Sequence, residues 1–425
     1  MERTGRVHRW LRDGTAVIAA LALFKLLLHL VLSARYGYMR DELYFIACSE
    51  HLDWGYVDIG PLVPWLARLS RELLGDSLRA LRLLPAVAGA ATVFLTGHFA
   101  RYLGGGRWAM GLAALSIIIA PVWLQTGNIL ALPSFEPLFW VSASYLVAVI
   151  LKTDNRRLWL GVGLIAGLGL LNKPSMVFFG GGLVVGLLAT PHRRHLADKW
   201  LWLGGLLALL IAAPFIRWQF GHDWATLEFL VGMNRDLMSR IPRWLFALGQ
   251  ILYVHPFNAP IWIAGLLFLL RSPDAKPYRP LAWIFLSVFM FLLIVQSKIY
   301  YLAPAYPILL AAGAVSIERW IFTRHCESHT RRGAGMDSAW TKMRLLRCAR
   351  NDDSTQHRHR EERVRERPGF FPLHCEERVR ERRGNLLCAF VHAVVGGMLC
   401  RRQGMGDRHP QAPQPPANEQ QNEAI

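Results

Sequence analysis

Apolar runs dominate the first three-quarters of the chain and recur at short intervals. A helix rises 1.5 Å per residue, so roughly 20 apolar residues cross about 30 Å of hydrocarbon. By that measure the pattern predicts ten membrane-spanning segments, at 14–34, 80–99, 108–126, 134–151, 158–172, 175–190, 200–216, 244–270, 281–297 and 302–320. Backbone groups in lipid must pair within their own segment, so these are helices. The fifth and sixth are short and meet at Asn172-Lys173-Pro174-Ser175, and the eighth holds His255-Pro256 and Pro260, which can break it. Between the first two spans, Pro64–Leu74 carries apolar residues at spacings of three and four and reads as a surface amphipathic helix. Leu227, Leu230, Met233 and Leu237 mark a second such helix in the loop from Arg217 to Arg243.

Composition agrees with this pattern. Of 425 residues, 53% are hydrophobic and 18% charged, and mean hydropathy is +0.25. A soluble chain carries about 25% charged residues. The long apolar runs exclude a disordered chain, and six cysteines exclude a disulfide scaffold. A net charge of +18 raises the question of nucleic acid, but its placement answers it. The N-terminal stretch and the gaps 100–107, 152–157, 191–199 and 271–280 together hold 15 basic and 5 acidic residues. Ten crossings put all five on one side, as the positive-inside rule requires of the cytoplasm. The reading is an all-α, polytopic membrane protein of the cytoplasmic (inner) membrane, with both termini cytoplasmic and no nucleic-acid partner. The loops 35–79 and 217–243 then face outward.

Several polar groups stand where an apolar chain needs a reason for them. Arg40-Asp41-Glu42 closely follows the first span. Adjacent acids on a helix point in different directions, so one carboxylate can accept a proton while the other orients substrate; the alternative is a solvated loop start. Asp58 lies in Trp54-Gly55-Tyr56-Val57-Asp58-Ile59-Gly60-Pro61, a turn whose aromatics suit a sugar face or an interface. Glu136 opens the fourth span, where an acid is costly unless it faces a cavity or a partner. Lys298 stands beside Tyr300 and Tyr301, and Lys173 at the short turn between spans five and six. Each lysine can bind phosphate or snorkel. Lys25, inside the first span, has no evident role. There is no nucleotide-binding glycine loop, and His192, His195 and the tail residues Cys348, His357, His359 and Cys375 lack the spacing of a closed zinc site.

Taken in order, Met39-Arg40-Asp41-Glu42-Leu43-Tyr44-Phe45, His51–Asp58 with Pro61-Leu62, Ala131–Leu138, Leu171–Ser175 and Lys298–Pro307 resemble bacterial members of the dolichyl-phosphate-mannose protein mannosyltransferase superfamily. This polytopic GT-C class includes aminoarabinose transferases acting on lipid A. The resemblance covers about residues 10–320. It implies a GT-C helical bundle and inverting transfer of one hexose or pentose from a polyprenyl-phosphate donor, outside the cytoplasmic membrane. The acceptor would be a glycolipid, lipid A or polysaccharide, or a protein. It further implies that Asp41 is the catalytic base with Glu42 beside it, that Lys298, Lys173, Tyr300 and Tyr301 meet the phosphate, and that Asp58 and Glu136 line the sugar or acceptor side. No cofactor is required, although some relatives use a divalent cation. Where the family more often has histidine or glutamine and two prolines after the second-motif aspartate, this chain has Asp58-Ile59-Gly60-Pro61. A lipid-linked sugar transporter or a non-catalytic envelope-assembly subunit would share the hydropathy pattern, but paired internal repeats are not evident.

From Ile321 the composition changes. This stretch holds 19 basic and 13 acidic residues, and Glu361–Arg367 recurs unchanged as Glu376–Arg382. The chain therefore divides into a transmembrane module, 1–320, and a basic low-complexity tail, 321–425, expected to be disordered or derived from read-through.

Overall fold

In the computed structural model, residues 14–236 and 241–332 are described. The tail beyond 332, with its repeat and its cysteines, lies outside them. No strand occurs among the described residues. The helices are α1 (Thr15–Leu32), α2 (Arg40–Glu50), α3 (Leu62–Leu74), α4 (Leu78–Tyr102), α5 (Arg107–Ile119), α6 (Pro121–Thr126), α7 (Leu132–Thr153), α8 (Trp159–Asn172), α9 (Met176–Leu188), α10 (Lys199–Gly221), α11 (Ala225–Asp236), α12 (Arg243–Val254), α13 (Ala259–Arg271), α14 (Arg279–Ile294) and α15 (Tyr306–Arg332).

All ten expected apolar segments are helical, but they are not ten uniform rods. Among the described residues, six helices are long and apolar enough to cross a membrane singly. The expected span 108–126 is divided into α5 and α6 at Ala120-Pro121. The expected span 244–270 is two helices, α12 and α13, that meet at 95° across His255. Proline explains both breaks, since it lacks an N–H and clashes with the preceding turn. The surface helix expected at 64–74 is α3, and the second is α11. The last helix crosses the expected module boundary at 320 and runs to Arg332.

The apolar residues divide by what they face. On α15, Tyr306, Ile308–Ala312, Ala314 and Val315 are wholly buried, so this helix is the bundle's centre. Trp202, Leu206, Leu209 and Leu210 of α10 are exposed, as suits a surface turned to lipid. Close backbone approach fixes one crossing: a Cβ on Gly313 would stand 1.8 Å from the Ile261 carbonyl oxygen, and one on Gly265 would stand 2.0 Å from that of Leu309. Only glycine lets α13 and α15 touch there. In the run Gly180-Gly181-Gly182, expected to serve close packing, only Gly182 does so; a Cβ there would lie 3.1 Å from Ile284 of α14, whereas the other two face open space.

The end of the bundle bearing α2 and α3 is organised by one buried ion pair. Arg82 is 1% exposed and Glu42 0%. The guanidinium donates from Nε to Glu42 Oε1 at 2.8 Å and from Nη2 to Oε2 at 2.6 Å. It also donates to the carbonyls of Ser33, Tyr36 and Gly37. Glu42 accepts from the Met39 and Leu130 N–H groups as well. Every charge taken out of solvent is thus met by hydrogen bonds, the condition under which a buried pair is tolerated. Its effect is to tie the α1–α2 connection, α4 and the start of α7 together.

Lys25 faces the interior of the bundle. It is fully buried and donates to the Trp123 carbonyl at 3.0 Å, with His29 buried one turn further along α1.

Candidate active site

The acidic pair after α1 is split by the helix it sits on. Met39 is extended and α2 starts at Arg40, placing Asp41 and Glu42 in the first turn, where carboxylates favour the helix dipole. Glu42 points into the protein, onto Arg82. Asp41 points out, its side chain 58% exposed, with Arg40 Nε 3.3 Å from Oδ1. The divergence of the two side chains matches the sequence expectation. Glu42, expected beside Asp41 as a catalytic group, has both oxygens engaged by protein groups and holds α2 in place.

Two lysines approach from the far part of the chain. Lys173 precedes Pro174, and the pyrrolidine disfavours helical geometry in the residue before it. Its φ is −158° and ψ 135°, so the residue swings out of α8. Its ammonium lies 3.0 Å from Glu136 Oε2 and 4.1 Å from the centre of the Tyr301 ring. Glu136 is 4% exposed and also accepts from the Ser175 hydroxyl. The acid opening α7 therefore has the partner its depth demands. Lys298, extended at the start of the 3₁₀ segment Ile299–Ala305, reaches the same Tyr301 ring from 6.0 Å. Tyr300 and Tyr301 pack edge to face at 5.0 Å. Two cations thus share one aromatic ring.

Asp41 belongs to this group. Lys298 is held below the ordinary lysine range, first by burial and next by the neighbouring Lys173 cation, while Asp41 opposes the shift and Arg40 adds to it. Asp41, Glu136 and Lys173 also lie within electrostatic reach of Tyr300. Arg40, Lys173 and Lys298 face Asp41 and Glu136, an excess of one positive charge. Glu136 is bound to Lys173, and among the described residues no carboxylate lies within ion-pair distance of Lys298. Such an arrangement attracts an anion.

Asp58 joins through its loop. Its Oδ1 accepts from the Tyr44 hydroxyl at 2.6 Å, and burial followed by this bond pushes the Tyr44 phenol upward. The 51–60 loop is pressed onto the Lys173 turn, because a Cβ on Gly60 would stand 2.2 Å from the Leu171 carbonyl oxygen. The glycine read as a tight-turn residue is needed for close approach. Gly60→Val is expected to displace Asp58 from this turn and to cut expression of folded protein severalfold, read by size-exclusion recovery in detergent.

The site therefore gathers Asp41, Glu136, Lys173, Lys298, Tyr300 and Tyr301 into one neighbourhood, with Asp58 on its border and Glu42 behind it. Arg82, Tyr44 and Ser175 complete it and were not anticipated. Arg82 carried a signal, since an arginine within an expected span requires a partner. Among the described residues no group of three or more His, Cys, Asp or Glu is arranged to hold a metal ion.

Comparison with known proteins gives three findings. Residues 58–218 match the family model described as dolichyl-phosphate-mannose-protein mannosyltransferase. Over 261 residues the chain is 27% identical to a lipid A galacturonosyltransferase, RgtD, of Rhizobium johnstonii, covering 58% of this chain and 53% of that one. The crystal structure of ArnT from Cupriavidus metallidurans bound to undecaprenyl phosphate superposes with a TM-score of 0.59 at 19% identity, over 72% of this chain and 60% of ArnT. The apo form of ArnT gives 0.58 at 20% identity, over 79% and 64%. The chain spans about half the length of the curated relative, and the likeness to ArnT is one of fold.

Proposed function

We propose that this chain, a member of the GT-C glycosyltransferase superfamily with the fold of ArnT, transfers a single sugar from a polyprenyl-phosphate donor to a hydroxyl or phosphate of a membrane glycolipid, on the periplasmic side of a bacterial inner membrane. The observation carrying this reading is the convergence of the exposed Asp41 with Lys298, a cation without an acidic partner among the described residues. The name of the lipid A galacturonosyltransferase supports a glycolipid acceptor such as lipid A.

In the proposed step Asp41 accepts the proton of the acceptor hydroxyl as that oxygen bonds to the anomeric carbon. The bond from that carbon to the phosphate oxygen breaks, and polyprenyl phosphate departs with the electron pair. A single displacement inverts the anomeric centre. The departing phosphate gains negative charge, which Lys298 and Lys173 stabilise from fixed positions. Both cations lie near the Tyr301 ring, against which Tyr300 packs edge to face. Glu136 holds Lys173, Asp58 and Tyr44 border the sugar side, and Glu42 positions the α2 turn that carries Asp41. Every group in this step comes from the chain itself.

The test is binding of undecaprenyl phosphate to the purified, detergent-solubilised protein, followed by tryptophan fluorescence. Lys298→Met is expected to weaken binding about 10- to 100-fold, the worth of a hydrogen bond to a charged group. Unchanged affinity in a folded variant would overturn the phosphate assignment. The pH dependence has a defined sign. Lys298 carries its charge below its lowered pKa, so affinity falls as pH rises through a range below that of an ordinary lysine. Lys173→Met removes the second-largest cause of the lowering, so it is expected to move this alkaline decline to higher pH.

A further inference from the structure

Lys298 stands in a short, irregular connection between α14 and the 3₁₀ segment Ile299–Ala305, and such a connection has no helical ladder to fix it. Isolated backbone bonds, Ser297 N–H to the Leu292 carbonyl and Tyr301 N–H to the Lys298 carbonyl, are joined by three side-chain amides. Asn234 of α11 donates from Nδ2 to the Val295 carbonyl at 2.8 Å. Gln250 of α12 donates from Nε2 to the Ile299 carbonyl at 3.0 Å. Gln296 donates from Nε2 to the Ile241 carbonyl at 3.1 Å, closing the strap from the other direction. The two carbonyls held by Asn234 and Gln250 bracket Lys298 in the chain.

Gln250 is the firmest of these. It is 2% exposed, and its amide also donates to the Phe246 carbonyl of its own helix at 3.0 Å. Its oxygen accepts from the Tyr306 hydroxyl at 3.2 Å, where Tyr306 begins the central helix and is itself wholly buried. A buried amide with its donors and acceptor met has one orientation open to it. The neighbouring Gly249 lies so close that a Cβ there would stand 2.7 Å from the Ile299 side chain. The half-helix α12, turned 95° from α13, therefore packs its Gly249–Gln250 face against the residue following Lys298. The connection also carries a sign of constraint, since Gln296 has a φ of +54°, a region non-glycine residues seldom adopt. Observed outliers of this kind persist only where the surroundings over-determine them.

We infer that Gln250 and Asn234 are positioning residues for the donor phosphate: they hold the Lys298 turn at the distance from Lys173 and Asp41 at which both ammonium groups can meet one anion. This rests on the phosphate role proposed for Lys298. The broken helix is thereby given a purpose, since a continuous span would not present the Gln250 amide and the tight Gly249 face to this turn. Neither residue touches the anion; each acts through the backbone on either side of the lysine.

A double-mutant cycle separates this role from ordinary stabilisation, with undecaprenyl phosphate as the probe and the full chain in detergent. Gln250→Met and Asn234→Ala are each expected to weaken binding about three- to ten-fold in the native background. In the Lys298→Met background neither is expected to change affinity by as much as two-fold, because the group they position is gone. Asn234 is only half-buried, so Asn234→Ala keeps the test intact if Gln250→Met does not fold. Losses that recur undiminished beside Lys298→Met would assign the amides to general stability and overturn the inference, leaving the phosphate reading in place. Native affinity in both amide variants would overturn it equally. Native affinity in Lys298→Met alone would overturn the phosphate reading, and the positioning role with it.

Discussion

Asp41→Asn is expected to lower the rate of sugar transfer by about 10²- to 10⁴-fold, the range in which positioned general bases contribute. The amide keeps the size and hydrogen-bonding reach of the carboxylate but has no basic oxygen to accept the acceptor's proton. Because the Asp41 side chain is exposed and its charged contact is with its own neighbour Arg40, the substitution is expected to leave folding unchanged. Loss of the carboxylate also removes the one nearby charge that favours the charged form of Lys298. Donor binding should therefore be retained at neutral pH, with its alkaline decline moved to lower pH. Transfer measured with a polyprenyl-phosphate sugar and a lipid acceptor checks the first expectation, and undecaprenyl phosphate titration checks the second. A folded Asp41→Asn protein that transfers sugar at the native rate would remove the base from this mechanism.

The second large effect concerns stability. Arg82→Ala is expected to destabilise the protein by about 3–5 kcal/mol, because the Glu42 carboxylate would stay buried without its counter-charge. Five hydrogen bonds from the guanidinium end on Glu42 and on the carbonyls of Ser33, Tyr36 and Gly37. Their loss would release the α1–α2 connection on which Asp41 depends. The measurement is thermal unfolding of the detergent-purified protein followed by tryptophan fluorescence. Combining Arg82→Met with Glu42→Leu should recover part of the loss, since no charge is then stranded. Recovery will be incomplete because the Met39 and Leu130 N–H groups lose their acceptor. If Arg82→Ala melted like the native protein, the pair would be shown to contribute little to holding this end of the bundle.

Much of the architecture was legible because membrane helices announce themselves by continuous apolar runs, and each such run is helical. What the runs could not convey was continuity. His255-Pro256 was visible as a break, but its 95° turn depends on what α12 packs against; the break at Pro121 was not read, because the apolar run continues through it. The site was legible in part for a different reason. Glu136 was singled out as an acid too costly to stand without a cavity or a partner, and Lys173 as a turn lysine that could meet phosphate or snorkel; the structure joins the two directly. Asp41 and Lys298 were linked by family resemblance rather than by spacing, since nothing local connects residues from such distant parts of the chain. Glu42 looked equivalent to Asp41 in sequence and is not, because its environment is decided by Arg82 on another helix. Gln250 and Asn234 gave no signal at all. An amide in or near an apolar helix reads as a minor blemish until the carbonyl it reaches is known.

The order in which this site is assembled follows from where its parts sit. The ribosome delivers the α2 turn early, and Glu42 meets Arg82 soon afterwards, so the carboxylate end of the site can be fastened while most of the protein is still unmade. Lys298 emerges immediately before the helix that fills the bundle's middle. A nascent copy halted before that point carries the proposed base and Lys173 but lacks the second of the two cations proposed to meet the departing phosphate. The proposed two-lysine phosphate site is therefore complete only as the central helix is being made.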